Sequence, residues 1–154
     1  MRALVQRVTR ASVKLPGGET RRIGRGLLIY LGVGPQDDAA VAEKLAEKIA
    51  VLRVFPDEAG RFDRSASDLK ADILLISQFT LYADCRKGRR PDFSQAAPPQ
   101  TAKPIYDLFG KILRDKGFSL QTGEFGAPMD VESETDGPIN FWLDTQSWDG
   151  AGAP

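Results

Sequence analysis

Apolar and polar residues alternate from the start of the chain, and the period changes in readable places. Ala3-Leu4-Val5-Gln6-Arg7-Val8-Thr9 and Ser12-Val13-Lys14-Leu15 mix apolar and polar positions with β-branched enrichment, which predicts strands; Pro16-Gly17-Gly18 supplies a turn. Ile23-Gly24-Arg25-Gly26 leads into the unbroken apolar run Leu27-Leu28-Ile29-Tyr30-Leu31-Gly32-Val33, which reads as a central strand covered on both faces. Gly34-Pro35 ends it, and Asp37 or Asp38 can cap a helix running to about Arg53, with Val41, Leu45, Ile49 and Leu52 on one face.

Residues 54–70 read as short strand and loop around the turn Pro56-Asp57-Glu58-Ala59-Gly60. Asp72-Ile73-Leu74-Leu75-Ile76-Ser77 is a second buried strand, and Gln78-Phe79-Thr80-Leu81-Tyr82 continues it with renewed alternation. A basic loop at 84–97 precedes a second helix over about 99–116, whose stripe is Ile105, Leu108, Phe109, Ile112 and Leu113. Thr101 as its N-cap places Pro104 in the first turn, where a missing N–H costs nothing, and Gly117 stops it. Phe118–Gln121, Met129–Glu132 and Ile139–Leu143 read as strands, and residues 146–154 as a flexible, frayed tail. The expectation is one α+β or mixed α/β domain with two main helices.

Composition narrows the chemistry more than the fold. The chain of 154 residues balances 21 basic against 21 acidic side chains and contains no histidine. That removes Ser-His-Asp and Cys-His nucleophiles, histidine general bases and the commonest transition-metal ligand. A single cysteine excludes an internal disulfide and a thiolate zinc site, and fits a reducing compartment. No apolar run is long enough to span a bilayer, and the polar start Met1-Arg2-Ala3-Leu4-Val5-Gln6-Arg7 is not a secretory signal, so a soluble cytoplasmic protein without a membrane partner is expected.

Charge is distributed unevenly. Residues 1–30 hold seven basic side chains against one acid, whereas 121–154 hold seven acids and no base. Either the two ends meet in the fold or a dimer, or the basic patches meet phosphate. Asp130, Glu132, Glu134 and Asp136 share one strand face; they read more readily as a solvated face or as mates for the basic first strands than as a cation site. Cys85, beside Arg86 and Lys87, has no base or resolving thiol nearby, and Lys87, Arg89 and Arg90 are equally compatible with a phosphate contact and a solvated loop. Ser77-Gln78-Phe79-Thr80-Leu81 places small and polar groups at the end of a buried strand, which suits a pocket wall. Asp136-Gly137-Pro138 by itself reads as a turn.

In order and spacing these segments resemble the D-aminoacyl-tRNA deacylase family over residues 1–145. The resemblance rests on Gln6-Arg7-Val8, Ser77-Gln78-Phe79-Thr80-Leu81, Lys87-Gly88-Arg89-Arg90-Pro91-Asp92-Phe93, Thr122-Gly123-Glu124-Phe125-Gly126-Ala127-Pro128-Met129 and Asp136-Gly137-Pro138. Thr135, Asn140 and Phe62-Asp63 stand where the family usually carries Asn, Thr and Met-Asn. Phe79 favours the D-specific branch over a related animal deacylase with a small residue there.

The resemblance implies predominantly antiparallel, barrel-like sheets and a homodimer. Gly137-Pro138, with a cis bond propped by Arg7, would enter the partner's pocket. It implies ester hydrolysis of D-aminoacyl-tRNA; no cofactor is expected, and no residue is assigned to a metal. Phe79 and Thr80 would form the reacting centre; Ser77, Gln78, Leu81, Ala127 and Met129 would line the substrate site; Lys87 and Arg90 would meet phosphates near the tRNA acceptor end. Thr80 lacks a base, so the expected mechanism uses the substrate's own ribose hydroxyl, with backbone amides around Phe79-Thr80-Leu81 stabilising the oxyanion. Gly137 and Pro138 carbonyls gripping the α-ammonium would exclude an L-residue by clash at Cβ and leave glycyl esters cleavable. The rival readings are a non-catalytic nucleic-acid-binding dimer and a deacylase of mischarged L-aminoacyl-tRNA.

Overall fold

The computed structural model describes residues 1–148. The elements run β1 (Arg2–Lys14), β2 (Thr20–Ile23), β3 (Gly26–Gly32), α1 (Ala39–Val51), β4 (Arg53–Pro56), β5 (Phe62–Ser65), α2 (Ala66–Leu69), β6 (Asp72–Ser77), α3 (Pro99–Asp115), β7 (Leu120–Thr122) and β8 (Asp130–Asp144), with 3₁₀ turns at Phe79–Tyr82 and Thr145–Ser147. The two segments expected at the start form the single strand β1. It is long enough to pair antiparallel with β3 along its first half, with β2 along its second, and with β8 along its other edge. β3 continues the sheet in parallel to β6, and β6 to β7. The result is a mixed, nearly closed barrel-like sheet with three helices among the described residues, the expected two and the short α2.

The continuous apolar runs are buried on both faces, as a covered strand requires. Leu27, Ile29, Leu31, Ile73 and Leu75 face the larger core, with Leu45, Ile49, Phe55, Phe109 and Leu113. Leu28, Leu74 and Ile76 turn into a second cluster with Val8, Val13 and Ile23. Asp38 caps α1 by accepting the Val41 N–H at 2.9 Å. The buried face of α1 is Ala42, Leu45, Ala46, Ile49 and Ala50, and Val41 and Leu52 pack at its margin.

Several expected boundaries move. Helix α1 ends at Val51, and Arg53 already belongs to β4. Within the expected loop, Ser65 and Asp68 close a capping box that starts α2. Helix α3 is capped at Pro98, not Thr101, with Pro99 in its first turn, so Pro104 lies inside the helix. Pro104 is exposed, and burial of Ala102, Tyr106, Phe109 and Leu113 holds the helix through the lost hydrogen bond. That buried stripe is rotated from the expected one; Ile105, Leu108 and Ile112 flank it.

Gln78–Tyr82 is not a strand. β6 pairs with β3 only as far as Ser77 opposite Leu31, and β3 ends at Gly32, so the following backbone turns in on itself. The two segments expected between Met129 and Leu143 are one strand, β8, and the opposite charges of the chain ends meet along it. Arg2 pairs with Asp144, Arg7 with Asp136 and Arg10 with Glu134. Gln146 and Ser147 belong to a 3₁₀ turn that Trp148 caps; the rest of the expected tail, 149–154, lies outside the described residues.

Candidate active site

A cavity of about 730 Å³ opens where β6 ends. Ser77, Gln78 and Phe79 form one wall, Ala96 to Pro98 with Pro99, Ala102 and Tyr106 of α3 a second, and Phe125 to Met129 a third. Tyr106 anchors the floor: its hydroxyl donates to the Leu75 carbonyl at 2.9 Å, and its ring lies 5.6 Å from that of Phe125. Burial pushes the Tyr106 phenol above its ordinary range, so it remains a neutral donor. Phe79, 57% exposed, stands at the rim with its ring edge-on to Phe93 at 4.9 Å.

The 3₁₀ turn starts at this rim with Phe79. Its first internal bond runs from Leu81 N–H to the Gln78 carbonyl at 3.3 Å, so the amides of Phe79 and Thr80 precede the hydrogen-bonded part of the turn. The Leu81 amide, grouped with them on sequence grounds, is thus engaged within the turn. Thr80 is exposed and does not line the cavity; its hydroxyl accepts from the Gln78 side-chain amide. No carboxylate bonds to it among the described residues.

The other expected residues lie elsewhere in the protomer. Between Gln6 opposite Asn140 and Val8 opposite Thr135, four residues of β8, Asp136 to Ile139, face only Arg7, so Gly137 and Pro138 bulge from the ladder. Both are exposed, neither lines the cavity of its own chain, and the bond between them is cis. Arg7 is buried beneath the bulge: Nη1 donates to the Val54 carbonyl at 2.6 Å, Nε lies 2.9 Å from Asp136 Oδ2, and the guanidinium sits 5.8 Å from the centre of the Phe62 ring. Asn140 accepts from the Gln6 side chain at 2.7 Å. Lys87 and Arg90 are exposed on a loop closed by reciprocal Asp84–Asp92 backbone hydrogen bonds of 2.8 and 2.9 Å.

Sequence reasoning omitted the α3 wall. Tyr106 and Ala102 are separated from the strand motifs by a loop, and only the rotated helix stripe could have indicated them. Asp130, Glu132, Glu134 and Asp136 form no metal-binding cluster, because among the described residues no three such side chains converge. Cys85 is exposed and free.

The comparisons cover nearly all of the described chain. The D-Tyr-tRNA(Tyr) deacylase family profile matches residues 4–144. A D-aminoacyl-tRNA deacylase of Thermomicrobium roseum is 52% identical over 145 residues, 94% of either chain. One from Anaeromyxobacter dehalogenans is 47% identical over 95% of this chain and 98% of its own. Among solved structures, the c-Myc DNA Unwinding Element Binding Protein superposes with a TM-score of 0.87 at 42% identity, over 94% of this chain and 98% of that one. A probable eukaryotic D-amino acid tRNA deacylase, at 17% identity and a TM-score of 0.84 over 92% and 97%, shares the fold.

Proposed function

The chain belongs to the D-Tyr-tRNA(Tyr) deacylase family, and from that premise we propose that the rim of the cavity is where it hydrolyses the ester of D-aminoacyl-tRNA. Its activity is that of an ester hydrolase, D-aminoacyl-tRNA deacylase. The observation that carries the assignment of the site is the pair of leading amides, Phe79 and Thr80, on a turn bordering a largely apolar, aromatic-walled cavity. Aromatic walls suit the unpaired terminal nucleotide of an acceptor end, which stacks on such rings. The leading amides suit the negative oxygen that develops when water attacks the ester, each such donor contributing roughly 10²–10³ in rate.

With no histidine in the chain and no carboxylate on Thr80, the protein supplies orientation and charge stabilisation. The ribose hydroxyl beside the ester assists the attacking water. Gly137 and Pro138 of a second copy complete the site, their carbonyls holding the substrate α-ammonium so that an L-residue meets main chain at Cβ. Their exposure, and the bulge that projects them away from their own cavity, support this arrangement. Ser77, Gln78, Leu81, Ala127 and Met129 shape the surroundings of the ester, Lys87 and Arg90 meet phosphates, and residues 1–145 act as one domain. No helix among the described residues is long and apolar enough to cross a membrane, and a tRNA substrate supports a cytoplasmic location.

The assay is release of amino acid from charged tRNA by the purified protein. D-tyrosyl- and glycyl-tRNA are expected to be cleaved and L-tyrosyl-tRNA spared. Survival of glycyl-tRNA under conditions that clear D-tyrosyl-tRNA overturns exclusion by clash. A second reading, a nucleic-acid-binding dimer without catalysis, is favoured by the name of the 42%-identical structure; it requires binding without release in the same assay.

A further inference from the structure

The 3₁₀ turn at Phe79–Tyr82 is only four residues long and has no side-chain cap at its start; Leu81 N–H to the Gln78 carbonyl and Ala83 N–H to the Thr80 carbonyl close it, at 3.3 and 3.0 Å. It is held by residues that do not line the cavity. Arg2 Nη1 donates to the Leu81 carbonyl at 3.1 Å, and Arg2 Nε donates to Asp144 Oδ2 at 2.9 Å. The same guanidinium lies 4.4 Å from the centre of the Tyr82 ring and 5.9 Å from that of Trp142. Tyr82 is 2% exposed and wedged against main chain: a Cβ at Gly34 would come within 2.7 Å of its hydroxyl oxygen. That hydroxyl donates to Asp37 Oδ2 at 3.3 Å, and Asp37 also accepts the Gly34 amide and the Met1 ammonium, each at 2.6 Å.

We propose that Arg2 is a positioning residue for deacylation: by bonding the Leu81 carbonyl and covering the Tyr82 ring, it fixes the direction in which the amides of Phe79 and Thr80 point at the cavity rim. The inference rests on the assignment of those amides to the oxyanion and adds the group that aims them. The Leu81 carbonyl and the two amides belong to one short turn, so freeing one end lets the other swing. A displacement of about 1 Å in a positioning group costs on the order of 10² in rate. The half-buried guanidinium engages two acceptors and a ring face at once, and an ammonium group cannot satisfy all three.

Single-turnover and steady-state deacylation of D-tyrosyl-tRNA by the full-length protein, with circular dichroism to verify folding, tests this. Arg2→Ala is expected to lower kcat by about 10- to 100-fold with KM within about twofold, because the lost interaction aims donors used in the transition state. Millimolar methylguanidinium should restore part of that loss, and methylammonium should not. Arg2→Lys is expected between the two and carries the test if Arg2→Ala does not fold. Asp144→Asn, which weakens the ion pair but spares the Leu81 contact, should keep kcat within about threefold. A kcat unchanged in Arg2→Lys and Arg2→Ala, a loss confined to KM, or an equal loss in Asp144→Asn overturns the positioning role. Wild-type protein that releases no D-tyrosine overturns instead the functional assignment beneath it.

Discussion

Thr80 illustrates how little a hydroxyl means without its surroundings. The Gln78 side-chain amide donates to its oxygen, and a donor cannot take the proton a nucleophilic hydroxyl must lose. If the backbone amides carry the reaction, Thr80→Ala keeps kcat within about tenfold of wild type, about 1.4 kcal/mol of barrier. A loss of about 10³ or more in single-turnover deacylation would restore the nucleophile model. Asp84, on the loop that carries Lys87 and Arg90, is a carboxyl whose titration its neighbours displace. Hydrogen bonds from the Arg86 side chain and backbone hold its carboxyl down to about 2, from an ordinary 3.8. A depressed carboxyl contributes to the folded loop above its unfolded value and ceases to do so as the pH falls through the folded one. The Asp84–Arg86 contact should therefore open between about pH 4 and pH 2, visible as a carboxyl carbon titration in NMR. A midpoint near 3.8 would show the contact absent in solution.

At the scale of elements, the sheet is specified by close main-chain approach as much as by side chains. Gly26 begins the parallel ladder opposite Asp72, and a Cβ there would fall 1.9 Å from the Asp72 carbonyl oxygen. Gly26→Ala must push β3 and β6 apart, at a cost of about 1–3 kcal/mol or more in urea denaturation. Gly24→Ala, whose added carbon would meet Asp72 Oδ2 at 3.6 Å, is the matched control and should stay within about 0.5 kcal/mol. Equal midpoints for the two variants would contradict the packing. Elements of this kind were legible in the chain: β3 and β6 as doubly buried runs, α1 from Asp38 and its apolar spacing. The departure at Gln78–Tyr82 was not, because alternation records which side chains alternate and not whether a neighbouring strand extends far enough to pair.

For the molecule as a whole, the proposal that two copies share each site has a sharp consequence. Gly137→Val damages the projecting bulge, since Gly137 has a φ of 121° and a Cβ there would meet the Ile139 backbone nitrogen at 2.9 Å. Ala127→Trp fills the cavity instead. Each homodimer should be inactive, whereas equal mixing after subunit exchange should recover about a quarter of wild-type activity. Half of the dimers are then mixed, and one of their two sites escapes both lesions. No recovery, once exchange is verified by mass spectrometry, means that each chain acts alone.

What the amino-acid order determined by itself is the set of strands and helices with strong periodicity, the absence of histidine chemistry, the opposite charges of the two ends and the motifs that mark the family. Burial periodicity and residue chemistry are local properties, written residue by residue. Only the tertiary structure decided that β1 and β8 bring those charges together, and that four residues of β8 bulge over one buried arginine. It also decided that α3 closes the cavity with Tyr106 and that Arg2 backs the amide-bearing turn. Each depends on how far a partner strand extends or which distant side chain reaches the same place, quantities fixed by packing between segments rather than by the pattern within any one of them.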